Sequence, residues 1–356
     1  MVRAGLVGYG FAGRDIHAPL MREAGIEIAA VQTANPQRRE HAAADHPGTR
    51  IVDDLASLLG VEGLDLVVLA SPSGVHGEQA LRVIEAGLPL VVDKPLAVDA
   101  AEAQRVVEAA ERARVPLTVF QNRRFDAEHV TMVEVARSGQ IGEVYRAELR
   151  WERWRPVPKE RWREQVPASE GGGIMLDLQS HLVDGAVDLL GEVGSVFAEV
   201  ATRTTVAEDD AFLACQHVSG ATSHLITSSV AAAPGPRLRV LGSRGAFLLS
   251  AFDHEPNIFP DLVNADPGDA GWIYRGDERV PARRAASSQA DFYRAVAAAL
   301  GAADPQRAMP VDPRDAVHTL AVIDAARVSA AEGRVVDVVT PGQGSGPREA
   351  QPRGGH

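Results

Sequence analysis

The sequence predicts an α/β protein: an N-terminal doubly wound parallel sheet, then a second α/β domain built on a largely antiparallel or mixed sheet. Three observations carry this. The first 120 residues alternate short apolar runs with amphipathic stretches, and a glycine-rich loop follows the first run. Beyond residue 143, strand-like segments follow one another with few helices between them. Repeated βα units of this length read as a parallel sheet with helices on both faces.

Taken in order, Val2-Arg3-Ala4-Gly5-Leu6-Val7 opens the first strand within 2–8, and further runs occupy 27–33, 64–70, 88–92 and 116–120. Over 99–113, Ala103, Val106, Val107 and Ala110 recur at helical spacing. Segments 143–151, 195–203, 209–218, 221–230, 237–242 and 245–250 are strand-like. Helical patterns return at 174–190, 287–301 and 313–331. The simplest division is one domain over 1–122, a second over 123–340, and a disordered tail over 341–356, where Gly, Pro and polar residues show no apolar period.

Composition narrows the function classes. The 356 residues carry a formal charge of −12 with no long basic run, which argues against nucleic acid or an anionic membrane as partner. A single cysteine, Cys215, excludes an internal disulfide and a thiolate zinc cage. No stretch approaches a membrane span, and the opening run reads as a strand rather than a secretory leader, so a cytoplasmic location is expected. Only two of the 36 basic residues are lysines, Lys94 and Lys159. In a chain so biased toward arginine, a lysine is expected where a group that can release its proton is needed.

Gly8-Tyr9-Gly10-Phe11-Ala12-Gly13 fits G-x-G-x-x-G directly after a strand and at the opening of a helix. The first glycine makes the tight turn, the second lets backbone approach a pyrophosphate, and the third allows close helix–strand packing. The helix N-terminus then offers free N–H groups to phosphates. Position in the first βα turn favours dinucleotide binding over a plain glycine-rich turn. At the end of the second strand, Val31-Gln32-Thr33-Ala34-Asn35-Pro36-Gln37-Arg38-Arg39 holds no carboxylate of the kind that marks NAD. Thr33 with Arg38 and Arg39 suits a 2′-phosphate, so NADP is expected over NAD; Arg38 as a solvated helix residue is the alternative.

Val91-Val92-Asp93-Lys94-Pro95-Leu96 places Lys94 at the carboxyl end of a strand, where ligands of open parallel sheets bind. A lysine there can steady the alkoxide that develops as hydride leaves, although a surface lysine in a turn has the same pattern. Ala70-Ser71-Pro72-Ser73-Gly74-Val75-His76 ends the 64–70 run. Ser71 and Pro72 are expected in a wall of the cofactor site. His76 is either a contact to the cofactor or its loop, or a structural histidine.

The segment Gly171-Gly172-Gly173-Ile174-Met175-Leu176-Asp177-Leu178-Gln179-Ser180-His181-Leu182-Val183-Asp184 feeds a glycine run into a helix, with Asp177 and His181 on one face. His181 suits proton transfer near neutral pH, and Asp177 can orient it or contact a hydroxyl. Asp184 and Asp188 continue the stripe, which also reads as a solvated helix face. A metal pair is the other alternative, but no third ligand stands out and hydride transfer needs none.

Together these residues resemble the glucose–fructose oxidoreductase, inositol dehydrogenase and MocA family (Gfo/Idh/MocA). The resemblance rests on the loop at 8–13, Ser71-Pro72 with His76, Lys94-Pro95, Gln121-Asn122-Arg123-Arg124, Gly171–Gly173 with Asp177 and His181, and Val240-Leu241-Gly242-Ser243-Arg244-Gly245. It implies a Rossmann domain over 1–122. It also implies a substrate-binding domain whose large, mostly antiparallel open sheet mediates assembly into a homodimer or homotetramer. It implies that Lys94, Asp177 and His181 carry the chemistry, with His181 as general acid/base. Cofactor contacts are expected from Gly8, Gly10, Phe11, Ala12, Gly13, Thr33, Arg38, Ser71, Pro72, His76, Asp93, Lys94 and Asn122. Substrate contacts are expected from Lys94, Arg123, Trp162, Asp177 and His181, and no metal is expected. Two departures stand out: Asp93 replaces the more frequent Glu before Lys-Pro, and Gln179 fills a place often held by glycine, where it is expected to alter the pocket.

Trp151, Trp154 and Trp162 cluster among Arg150, Arg153, Arg155, Lys159, Arg161 and Arg163. They fit the C–H face of a sugar or cyclitol, an oligomer interface, or packing. The expected activity is NAD(P)-dependent hydride transfer on a secondary alcohol or ketone of a sugar, inositol or related polyol. A glycoside-cleaving relative that oxidises transiently and a non-catalytic dinucleotide sensor are the rival readings.

Overall fold

A computed structural model of the chain describes residues 1–253 and 255–342, so the expected tail lies, beyond Gly342, outside the described residues. The chain forms two compact units: Met1–Asp126 with Pro167–Gly171 and Ala286–Leu320, and Ala127–Val166 with Gly172–Ala285 and the segment from Ala321.

In the first unit six parallel strands stand in the order β3-β2-β1-β4-β5-β6. They are β1 (Arg3–Val7), β2 (Glu27–Gln32), β3 (Arg50–Val52), β4 (Leu66–Leu69), β5 (Leu90–Asp93) and β6 (Leu117–Phe120). The residues of β4, β5 and β6 are buried throughout, as expected of strands covered on both faces. The helix Ala100–Ala113 starts where the Asp99 side chain accepts the Glu102 N–H and buries Ala103, Val106, Val107 and Ala110. The three-residue edge strand β3 escapes sequence reading because it has no apolar run and its Arg50 is exposed.

The first unit is not one continuous stretch, because the chain returns over Ala286–Leu320 to complete it. The helix Ala290–Leu300 buries Phe292, Tyr293 and Val296, and the Phe292 ring meets Phe120 of β6 edge to face at 4.9 Å. The Thr118 hydroxyl donates to the Val311 carbonyl at 2.8 Å, and the Leu117 N–H donates to Gln306 at 2.9 Å. A sheet edge left bare would expose apolar surface and unpaired peptide groups, and residues 286–320 cover this one.

In the second unit, the described residues form a nine-stranded sheet, ordered β14-β13-β12-β11-β7-β10-β9-β8-β15. Its strands are β7 (Val144–Glu152), β8 (Val193–Ala201), β9 (Asp210–His217), β10 (Thr222–Ser228), β11 (Leu238–Gly242), β12 (Gly245–Leu249), β13 (Asp269–Arg275), β14 (Glu278–Arg283) and β15 (Val336–Asp337). Only β7 and β10 pair parallel, so the sheet is mixed but mostly antiparallel. The helices Ala127–Arg137 and Ser180–Leu190 pack on the face that buries Ala147, Leu149, Leu225 and Val240. Gly185 lets them approach: a Cβ there would stand 3.3 Å from the His129 ring. The sequence reading misses β13 to β15; β14 carries Pro281 and is exposed at five of its six residues.

Candidate active site

The glycine loop follows β1 in the first unit. Gly8 has φ of 90°, and an added Cβ would lie 2.6 Å from the Ala70 carbonyl oxygen, so only glycine fits. A Cβ on Gly13 would lie 2.1 Å from the Gly8 carbonyl oxygen, which is the close helix–strand approach that the motif requires. At Gly10 the nearest neighbours of an added Cβ are Arg38 guanidinium atoms at 3.5 Å, so the backbone is open there beneath a cation. The following helix begins with a π-type turn, Ala12–His17, and continues as Ala18–Glu23. Phe11 holds its ring 71% exposed beside the loop. A bare glycine shelf, a helix start and an overhanging guanidinium fit a dinucleotide.

At the end of β2, Thr33 is buried, with its N–H bonded to the Val52 carbonyl. Arg38 lies in the first turn of the helix Pro36–Asp45, where its N–H is held by the capping Asn35 side chain. The two arginines divide: Arg38 stands over Gly10, whereas Arg39 is bound to Asp53 and to the Thr33 carbonyl.

The carboxyl ends of β4, β5 and β6 hold the other expected cofactor residues. Ser71 donates to Gln79 at 2.6 Å. His76 is buried, with Nδ1 2.8 Å from the Pro95 carbonyl and Nε2 2.8 Å from the Ser71 carbonyl. It therefore braces the Ser71–Pro72 wall against the Lys94–Pro95 segment. Lys94 follows β5 directly and is buried; its backbone N–H donates to Asp93 Oδ1 at 2.8 Å, and its peptide bond to Pro95 is cis. Asn122 and Arg123 are fixed in one network: Asn122 donates to Gln289, Gln289 to Asp126 Oδ1, and Arg123 to Asp126 Oδ2.

In the second unit, a π-type turn, Met175–Gln179, leads into the helix Ser180–Leu190. Arg163 Nε stands 3.6 Å from Asp177 Oδ1, and the Arg163 N–H side chain also covers the Trp162 ring at 4.6 Å. The His181 ring lies 5.6 Å from that of Trp151, tilted by 33°. The tryptophans thus separate: Trp151 packs on His181, Trp162 lies under Arg163, and Trp154 is 58% exposed. The stripe beyond His181 is not a solvated face, since Asp184 is buried and Asp188 meets His129 at 2.9 Å. Gln179 also departs from expectation. It is fully buried against β10, accepting from Thr227 and donating to the Leu225 carbonyl, so it fills core rather than pocket. Among the described residues no three His, Cys, Asp or Glu side chains are grouped to hold a metal ion.

Sequence reasoning overlooked two residues beside Asp93. His17 and Tyr293 reach it through the interior of the first unit, 276 positions apart, and no local pattern links them.

A parallel sheet in the order 3-2-1-4-5-6 with a fingerprint glycine loop defines a dinucleotide-binding fold. Residues 2–121 match the model of the oxidoreductase family with NAD-binding Rossmann fold, and residues 129–248 match the GFO/IDH/MocA C-terminal domain. The chain is 32% identical over 289 residues to the uncharacterized oxidoreductase YdgJ of Escherichia coli K12, covering 78% of this chain and 82% of that one. It is 26% identical to the scyllo-inositol 2-dehydrogenase (NADP(+)) IolW of Bacillus subtilis, covering 94% and 95%. The solved structure of the oxidoreductase yvaA from Bacillus subtilis superposes with a TM-score of 0.82 at 25% identity, over 95% of this chain and 98% of that one. The chain belongs to the Gfo/Idh/MocA family and is a nicotinamide-dependent oxidoreductase. None of its described helices is long and apolar enough to cross a membrane.

Proposed function

We propose that the chain interconverts a secondary alcohol and its ketone on a sugar, inositol or related polyol in the cytoplasm, with NADP preferred to NAD. The observation that carries the reading is Lys94, buried at the carboxyl end of β5 in a dinucleotide fold. The bound dinucleotide supplies the hydride acceptor, or the donor in reverse. In oxidation, His181 takes the hydroxyl proton, Lys94 steadies the forming oxyanion, and Asp177 orients His181 or the substrate. The packing of His181 on Trp151 and the approach of Arg163 to Asp177 support these roles, because each group is held in one orientation. NADP is supported by Thr33 in the place of a ribose-binding carboxylate and by Arg38 over Gly10. It is supported too by the NADP-linked activity named for IolW. The outer face of the nine-stranded sheet presents Phe212, Ile226, Leu248 and Trp272 opposite the helix-covered side, and copies of the chain meet there as a dimer or tetramer. Polyols are screened with each cofactor, following nicotinamide absorbance, and light scattering gives the assembly state. Net reduction of NADP by a polyol is expected; absence of net turnover across inositols and sugars would overturn the reading.

A further inference from the structure

Behind Lys94 the first unit buries a polar chain that the proposed reaction leaves unused. His17, the last residue of the turn that follows the glycine loop, is wholly shielded from solvent. Its Nδ1 lies 2.5 Å from the Tyr293 hydroxyl, and its Nε2 lies 3.7 Å from Asp93 Oδ1. That same oxygen accepts the Lys94 backbone N–H at 2.8 Å. Tyr293 is also fully buried, and its ring and that of His17 both pack on Phe120, at 5.5 and 4.4 Å.

Chemistry gives this chain a direction. A phenol at ordinary pH is a donor toward an imidazole nitrogen, so Tyr293 donates to Nδ1, which leaves the proton of the neutral ring on Nε2, facing Asp93. Three polar groups buried among phenylalanines cost desolvation that aliphatic side chains would avoid, so the chain is a costly way merely to fill space. We propose that His17 and Tyr293 are positioning residues for Lys94: they hold the buried Asp93 in place, and its carboxylate accepts the Lys94 N–H and fixes that backbone at the end of β5. The proposal rests on the reading of Lys94 as the group that steadies the oxyanion.

The groups facing Asp93 are His17 from the glycine-loop helix, Tyr293 from the returning helix, Lys94 from its own strand end and His76 from the helix after β4. Burial by itself would push the Asp93 carboxyl up. The approach of His17, with Lys94 and His76 nearby, outweighs burial and holds it below the usual carboxylate range. Replacing His17 by Phe keeps a ring against Phe120 but removes the imidazole that faces Asp93. Asp93 then lacks the group that faces it from the glycine-loop helix, and its hold on the Lys94 N–H loosens.

The lysine count makes a direct test available. With only Lys94 and Lys159 in the chain, protein carrying carbon-13 at lysine Cε gives two side-chain signals, assigned with Lys94→Met. In His17→Phe the Lys94 signal is expected to move from its unmodified chemical shift and to broaden as its backbone is released from Asp93. Tyr293→Phe, which removes a single oxygen and keeps the fold should His17→Phe unfold, shifts Lys94 less but in the same direction. Asp93→Asn shifts it at least as far as His17→Phe, and Asp93→Glu restores it, while Lys159 stays unmoved throughout. An unchanged Lys94 signal in Tyr293→Phe and Asp93→Asn would overturn the proposal. The measurement needs no turnover. If Lys94→Met kept full activity, the catalytic reading would fall while the lysine signals still decided this one.

Discussion

On the proposed preference for NADP, Arg38→Ala should leave a protein that scarcely distinguishes the two cofactors. The guanidinium stands 3.5 Å from the point where a Cβ on Gly10 would sit, so it overhangs the open part of the glycine shelf. Arg39 is no substitute, because it is committed to Asp53 and the Thr33 carbonyl. A charge-assisted hydrogen bond contributes ~1.5–3 kcal/mol and each ~1.4 kcal/mol is tenfold, so removing one phosphate contact costs about 10- to 100-fold. Arg38 is exposed, and solvent screening places the loss toward the lower end, about tenfold. NAD lacks the 2′-phosphate and should bind almost as before. The assay is the KM of each cofactor in unmodified and Arg38→Ala protein, repeated in added salt, which should weaken NADP selectively in the unmodified protein. Thr33→Asp should move preference toward NAD by adding a ribose partner and repelling phosphate. Equal losses of NAD and NADP in Arg38→Ala, or tighter binding of NAD by the unmodified protein, would refute the reasoning.

Three further outcomes are expected. Lys94→Met should bind cofactor normally but lose about 10²–10³ in kcat, and Lys94→Arg should fare nearly as badly, because its planar fork cannot replace a compact ammonium; near-normal kcat in Lys94→Arg would remove the proposed role. His181→Ala should lose about 10²–10⁴ in kcat/KM for oxidation and flatten the acid limb of the pH profile, and an unaltered limb would hand the proton to another group. Asp209 tests acid stability. Burial raises its carboxyl, but the Thr204 hydroxyl and the Arg203 and Thr204 N–H groups, at 2.7–2.8 Å, hold it below the ordinary range on balance. Its stabilisation is therefore present above the unfolded value of about 4 and lost as pH falls toward the lower folded value. Asp209→Asn should have a lower Tm at neutral pH and a shallower fall in Tm on acidification; parallel curves would exclude the effect.

The parts of this protein that sequence makes plain are those whose chemistry is local. The loop at 8–13 announces itself because three glycines answer steric demands within one turn, and Lys94 is conspicuous in a chain almost free of lysine. Asp177 and His181 are paired in the sequence by helical spacing alone, whereas Asp177 stands in the π-type turn and His181 in the helix that follows it. What depends on distant partners stays hidden. Gln179 looks like a pocket residue until Thr227 and Leu225 arrive beside it, and the stripe through Asp184 looks solvated until His129 meets Asp188. His76 reads as a possible cofactor contact, yet both ring nitrogens face backbone carbonyls, one of them 19 positions away. β3 and β14 fail for another reason: as edge or near-solvent strands, they carry neither an apolar run nor a clean alternation.

The return of residues 286–320 to the first unit sets the order in which the protein can be made. A ribosome releases β1 to β6 early, but the helix that closes over Phe120 emerges only after every strand from β7 to β14. Until then the N-terminal sheet has an open flank, with Leu117 and Thr118 lacking the partners that Gln306 and Val311 later provide. Maturation of the nucleotide-binding half is therefore deferred until β7 to β14 have been made, and its exposed flank is the point in the nascent chain that a chaperone would need to shield. The same nesting means that the N-terminal 126 residues do not constitute a transferable module: a graft that omits the returning helix would carry an unfinished edge with it.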